Sequence, residues 1–439
     1  MDHIGIVTRL RDAGFDAWLV GGAVRDHLLG LEPKDWDVAT AAWPREIERI
    51  FADRKLRNIG REGEKSFDVY TIDGVEVATY RTDVDKNTAT YIETINEDLA
   101  RRDLTINSMA MWPVGGTIVD PFGGRKDLAS KVIRFTGDPE RRIKEDPLRM
   151  VRACRFLAAV KYAHFDSDTF DAIATHSYLI DEVPLERLGA ETMKAMRSEY
   201  AGNYFRALQN ACLLDHVFPT AMECVDHVGG GWHSETVFEH MCYAVDNVRL
   251  DVPELRLAAF LHDIGKPKAY RLFSNGSFKM HEVFGDKIAR AELKRLRLPN
   301  STIDYVGTLI RAHVFYLNDM TTDRGIRKHL LRIDGKAPWR HFVALTIADH
   351  DANQRNVPHP PGEYDNWVRR FERVLSEMNA MTVRDLKVNG RDVMAELGIG
   401  PGPEVGRVLQ GIFDHVTDNP DLGTRDEQLA LIRAIKESK

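Results

Sequence analysis

Cysteine is scarce: Cys154, Cys212, Cys224 and Cys242 are the only four in 439 residues, and none forms a CxxC pair. That excludes a disulfide framework and a thiolate zinc site, and reads as the reduced thiols of a cytoplasmic protein. No apolar run approaches the ~20 residues of a membrane-spanning helix. The opening MDHIGIVTRLRD is charged within three residues and does not read as a secretory leader. Internal repeats and low-complexity tracts are missing, which excludes a solenoid or an array. An excess of basic residues is missing too. The net charge of −7 argues against a protein that holds nucleic acid by overall charge alone, although local basic faces are untouched by that sum. What remains is a globular balance, 43% hydrophobic and 29% charged, in a chain long enough for roughly three or four domains.

The most informative stretch is Leu19 to Thr40, LVGGAVRDHLLGLEPKDWDVAT. Trp18 to Val20 read as a short strand, Gly21-Gly22 as a tight turn, and Ala23 onward as a helix. Glycines let backbone N–H groups approach an anion, and the helix start adds its positive end. Arg25 adds a fork suited to phosphate oxygens. Asp35 and Asp37, two apart on the expected strand 35–40, leave the same face. Paired carboxylates beside a phosphate cradle are what divalent-metal phosphoryl transfer requires. Asp73-Gly74 between two β-rich runs reads as a hairpin. Glu76 on its second strand either completes the carboxylate set or is a cross-strand charge partner.

In this order and spacing the motifs resemble the nucleotidyltransferase signature of the DNA polymerase beta-like superfamily. GGAVRDHLLG is similar to the version in tRNA CCA-adding enzymes and bacterial poly(A) polymerases. The resemblance extends to Arg101-Arg102-Asp103 followed by Thr105-Ile106-Asn107, and to Glu145-Asp146-Pro147-Leu148-Arg149, the family's RRD and EDxxR motifs. It implies that Arg102 and Asp103 position the nucleotide sugar. It also implies that Asp146 and Arg149 select cytosine or adenine, whose amino donor and ring-nitrogen acceptor match a carboxylate and a guanidinium. Arg142, Asp146, Arg149 and Arg152 recur at three- and four-residue steps, as on one helical face. Asp146 before Pro147 also fits a plain N-cap. Glu186-Arg187 resembles a further family motif in a supporting role. The polar stretch 81–98 reads as a loop, which in CCA-adding enzymes helps the switch from C to A. Relatives carry Arg-Pro there and Phe-Gly before it. This chain has no such Arg-Pro and has Phe67-Asp68. Asp127 reads as a helix start.

His262-Asp263, followed by Gly265-Lys266, resembles the HD phosphohydrolase superfamily. The resemblance adds His240 as the first ligand and Asp349 as the last, with Asp351 its rival. His281 and His313 are further candidates or ordinary surface histidines. Mixed imidazole and carboxylate ligands suit Ni²⁺, Mn²⁺ or Co²⁺, whereas the head's oxygen ligands suit Mg²⁺. The HD region is either active or a scaffold. Pro358 to Gly362 form a proline-rich linker. The helix beginning at Pro403 either meets an RNA phosphate or forms an ordinary hairpin.

The expected fold is α+β: a head with a small mixed sheet (1–137), then an all-α neck (138–225), HD domain (226–357) and tail (358–439). The expected activity is addition or repair of the 3′-terminal CCA of tRNA from CTP and ATP, with Asp35, Asp37 and Glu76 as catalytic candidates and two Mg²⁺ ions held by Asp35 and Asp37. Gly21, Gly22, Arg25, Arg102, Asp103, Asp146, Arg149 and Arg152 would bind the nucleotide, and His240, His262, Asp263 and Asp349 a second metal. A poly(A) polymerase or a partial CC- or A-adding enzyme shares this chemistry. Bacterial poly(A) polymerases usually add a basic C-terminal extension, which this chain lacks. An HD phosphohydrolase with an inactive head, or a non-catalytic RNA-binding protein, would be of a different class.

Overall fold

A computed structural model describes residues 1–33, 35–59, 69–83, 89–160, 163–228, 234–273, 277–315, 317–318, 320–333, 337–353, 358–378, 380 and 382–437. The chain divides into two compact units, Met1–Pro219 and Thr220–Lys439.

The first unit opens with the helix His3–Asp12, capped by the Asp2 carboxylate. It buries Ile6, Val7 and Leu10, whereas Ile4 points outward. The strands are β1 (Ala17–Val20), β2 (Asp37–Thr40), β3 (Leu56–Asn58), β4 (Val69–Ile72), β5 (Val75–Thr79), β6 (Arg81–Asp83), β7 (Ala89–Tyr91), β8 (Ala110–Met111) and β9 (Ile118–Val119). Seven of them form a mixed sheet in the order β3-β4-β5-β2-β1-β8-β9, with β2 and β5 parallel. β4 and β5 are joined at Asp73-Gly74, both at positive φ as a tight hairpin requires. Val20, Ala39, Tyr80, Leu99 and Ala110 form a buried cluster against it.

Four expectations are corrected here. The stretch 81–98 is not a loop throughout. β6 pairs with β7, and Thr94 then caps a helix, Ile95–Ala100, by accepting from Glu97 N–H. Residues 84–88, like Phe67 and Asp68, lie outside the described residues. Asp35 precedes β2 and sits in an exposed bend; the strand starts at Asp37. Asp127 lies inside the helix Gly124–Ser130, whose first N–H groups are capped by Asp120 at 2.7 and 3.0 Å. Finally, 139–159 is two helices, Pro139–Glu145 and Leu148–Ala159. Pro147 disfavours helical geometry in the residue before it, and Asp146 is accordingly extended, with φ −151° and ψ 99°.

The second unit is helical among its described residues. Val237–Asn247, Pro253–Leu261 and Trp339–Ala352 pack together; His240 and Asp349 lie on the first and last, and His262-Asp263 directly follow the middle one. The tail closes a core of its own around Val393, Ile412, Phe413, Val416 and Ile432. The helix Pro403–Asp418 buries its apolar face there, as a helical hairpin does.

Candidate active sites

β1 ends at Val20, the register partner of Asp37, and Asp37 is the partner of Glu76 across the parallel pair. Partners in register put their side chains on one face. Asp35, two residues before Asp37, adds its charge to theirs. The result is visible in Asp37. Burial first, then the neighbouring Glu76 carboxylate, with Asp35 adding and Arg102 opposing, push its pKa up to about 6. Asp37 and Glu76 in register, with Asp35 near enough to act on Asp37, are all-oxygen donors of the kind that suits a divalent cation.

Gly21 explains the turn beside them. Its φ is +76°, and a Cβ there would lie 3.1 Å from Arg102 Nη1 and 3.6 Å from Asp37 Oδ2. Glycine alone lets the backbone pass that close. The helix Gly22–Leu28 follows and carries Arg25 into a fixed pose. The Arg25 guanidinium donates to Asn107 Oδ1 at 2.7 Å and to Asp26 Oδ1 at 2.9 and 2.7 Å, 5.1 Å from the centroid of the Phe156 ring.

These residues open into a cavity of about 630 Å³. Eight arginines line it (25, 81, 101, 102, 149, 152, 155 and 187) against three aspartates, Asp37, Asp103 and Asp146. That imbalance suits a polyanion such as a triphosphate. Several arginines are already pinned. Arg102 donates to Asp98 at 3.0 Å, Arg155 to Glu191 at 2.8 Å and Arg152 to Asp103 at 2.5 Å. Burial opposes ionisation of Asp103, but Arg152, together with Asn107 and the Leu104 N–H, holds its pKa at about 2.

All the sequence-assigned nucleotide-binding residues, Gly21, Gly22, Arg25, Arg102, Asp103, Asp146, Arg149 and Arg152, line this one cavity. Asp146 is held not as a helix-face residue but at the junction, where its carboxylate accepts from Arg187 at 3.2 and 2.9 Å. It also takes a long bond from Leu148 N–H, 3.4 Å, so cap and cavity roles coexist. Arg149 donates to Glu145 at 2.7 Å and to the carbonyls of Arg142 and Arg101, both at 3.1 Å. Arg187 thus lines the cavity as well as supporting Asp146. Arg155 and Phe156 carried no motif. Their only signal was the three-residue step from Arg152.

In the second unit His240 Nε2 lies 2.8 Å from Asp349 Oδ1. His262 Nε2 lies 3.3 Å from both Asp263 Oδ2 and Asp349 Oδ1. It is buried and makes no well-directed hydrogen bond. Burial works against its protonation, yet the two carboxylates push its pKa up to about 10. Converging ligands with one imidazole nitrogen left over fit a cation of the transition series. Asp351 is not part of this group; it pairs with His350 and His359. His281 and His313 are not surface residues. Their Nε2 atoms are 3.0 Å apart, and stand 3.2 and 3.7 Å from Asp263 Oδ1. Lys266 Nζ lies 2.5 Å from Asp263 Oδ2.

Residues 17–134 match the poly A polymerase head domain, 164–224 the probable RNA and SrmB-binding site of polymerase A, and 231–352 the HD domain. The sequence is 29% identical over 423 residues to the CCA-adding enzyme of Geobacillus stearothermophilus, covering 95% of this chain and 92% of that one. It is 29% identical to the A-adding tRNA nucleotidyltransferase of Deinococcus radiodurans, covering 95% of each. The fold matches the crystal structure of the Bacillus stearothermophilus CCA-adding enzyme in complex with CTP, with TM-score 0.73 and 26% identity over 99% of this chain and 97% of that one. Fold, carboxylates and arginine cavity together define a nucleotidyltransferase of a divalent-metal-dependent class. Within that class the chain belongs to the family of CCA-adding enzymes and poly(A) polymerases, in the form that carries an HD domain. Among the described residues no helix is long and apolar enough to cross a membrane.

Proposed function

We propose that the chain adds or repairs the 3′-terminal CCA of tRNA from CTP and ATP, working in the cytoplasm. The observation that carries this reading is the Asp37–Glu76 pair, with Asp35 acting on it, and Asp37 itself lining an arginine-rich cavity. Relatives named for CCA addition align over nearly the whole chain, whereas the poly(A) polymerase match spans about half of it. Asp35, Asp37 and Glu76 would hold Mg²⁺, which supplies charge stabilisation for the attacking 3′ oxygen and the departing pyrophosphate. Arg25 and the Gly21-Gly22 backbone hold the phosphates. Arg102 and Asp103 set the sugar. Asp146 and Arg149 present an acceptor and donors to the base. Incubating tRNA that lacks its CCA with each labelled nucleotide and sequencing the product ends tests this. Products ending in CCA are expected; long A tails would establish poly(A) synthesis, and CC or A alone a partial enzyme.

The same reading divides the chain at 137, 225 and 357 into head, neck, HD domain and tail. His240, His262, Asp263 and Asp349 form a second, separate metal site. With Ni²⁺, Mn²⁺ or Co²⁺ bound it would supply hydrolysis of phosphomonoesters or 2′,3′-cyclic phosphates. The four side chains' convergence supports this.

A further inference from the structure

The helix Trp339–Ala352 ends in a third group of convergent side chains, used by neither site. His350 Nδ1 lies 3.2 Å, and His359 Nδ1 2.8 Å, from the same atom, Asp351 Oδ1. The two imidazole centroids are 4.2 Å apart, and the three ligand atoms lie within 4.8 Å of one another. The His359 backbone N–H also donates to that oxygen at 2.8 Å. On the far side Arg249 Nη2 stands 3.5 Å from Oδ2, so the carboxylate is steered from behind, as metal-binding carboxylates are. Asp351 and His359 are largely covered, whereas the His350 side chain is 39% exposed. One side of the group therefore faces water.

We propose that His350, Asp351 and His359 bind a divalent transition ion of the zinc type, separate from the HD ligands. Two imidazole nitrogens and one carboxylate oxygen are the donor set that favours such an ion over Mg²⁺. Three protein ligands with one open side leave a position for water. His350 and Asp351 follow directly on Asp349, while His359 lies in the proline-rich turn. Binding therefore clips that turn onto the end of the helix that supplies the last HD ligand. Each imidazole binds through a deprotonated Nδ1, so uptake releases whatever proton Nδ1 carried and weakens in acid.

The probe is Co²⁺, with Zn²⁺ as competitor, added to the chelator-treated full chain carrying Asp263→Ala, which disables the HD cluster. The expected result is a retained equivalent of Co²⁺ with the visible absorption of low-coordinate cobalt, displaced by Zn²⁺, and a Tm raised by Zn²⁺. Adding His359→Ala removes both. In the otherwise unaltered chain, His359→Ala lowers bound metal by one equivalent. If the Asp263→Ala chain binds no Co²⁺, or if His359→Ala leaves the equivalent in place, the group is a hydrogen-bonded helix end and the proposal is overturned. Circular dichroism checks that each variant folds, and His240→Ala replaces Asp263→Ala should the latter fail.

Discussion

Asp37 and Glu76 are register partners on parallel neighbouring strands, so two carboxylates stand side by side on the face next to the Gly21 turn. In Asp37→Ala, and in Asp35→Ala, nucleotide addition should fall on the order of 10³-fold or more while tRNA binding is retained, since several kcal/mol of charge stabilisation are lost. Single-turnover assays beside filter binding measure the two separately. Near-normal addition by both variants would remove the assignment.

The same crowding costs stability in the absence of metal. The pKa of Asp37 is raised to about 6 in the fold. The folded state therefore binds the proton more tightly, and the penalty grows as pH rises from the ordinary carboxylate range through 6, then stays constant. Asp37→Asn should thus stabilise the metal-free protein at pH 7 by on the order of 1 kcal/mol, discounted for solvent exposure, or about 2–4 °C in Tm. The difference should vanish at pH 4 and shrink with Mg²⁺. Calorimetry at both pH values, with and without Mg²⁺, reads this; a destabilised Asp37→Asn at pH 7 would contradict the carboxylate cluster.

Gly21→Ala tests the close approach. The substitution places a methyl group 3.1 Å from Arg102 Nη1 and demands a left-handed backbone from alanine, a strain of about 1–2 kcal/mol. Triphosphate affinity should weaken along with stability. Alanine at Gly30, also at positive φ but with nothing within 4 Å, should cost stability only. Equal nucleotide affinity in the two variants would show that the contact with Arg102 is unimportant.

Arg149→Ala should relax selection against UTP and GTP more than it weakens triphosphate binding, by about 1–3 kcal/mol of discrimination. The expected readout is misincorporation measured by sequencing product ends. Unchanged UTP and GTP incorporation would leave Arg149 as a strut, held by Glu145 and two carbonyls.

In the second unit, Asp263→Ala should abolish any transition-metal-dependent hydrolysis and leave CCA addition standing. Both activities measured across a series of Mg²⁺, Mn²⁺, Co²⁺ and Ni²⁺ decide this. Hydrolysis with none of them would make the HD helices a scaffold, and joint loss of both activities would mark an unfolded chain.

Much of this was legible in the sequence because it is written in short-range patterns. Gly21-Gly22, the Asp73-Gly74 hairpin and His262-Asp263 each need only a few neighbouring residues to be read. The preference for Asp349 over its rival Asp351 agrees with the structure, in which Asp349 faces His240 and Asp351 faces His359. What escaped the sequence was long-range or conformational. Helical spacing over Arg142 to Arg152 concealed the break at Asp146, which Pro147 imposes. Arg155 and Phe156 looked like any helix residues until the cavity gave them a direction. Arg187 is forty-one positions from its partner, a separation no local pattern encodes.

The acids paired with the arginines of the cavity have a consequence for turnover. Asp98, Asp103, Glu145, Asp146 and Glu191 hold Arg102, Arg152, Arg149, Arg187 and Arg155 before any ligand arrives. Such a frame keeps its shape when a highly charged leaving group departs, because the cations do not then repel one another apart. It also tempers the attraction, so that each spent pyrophosphate is released rather than trapped. An enzyme that must refill one receptacle several times on the same primer gains from a lining that is set in advance and grips only moderately.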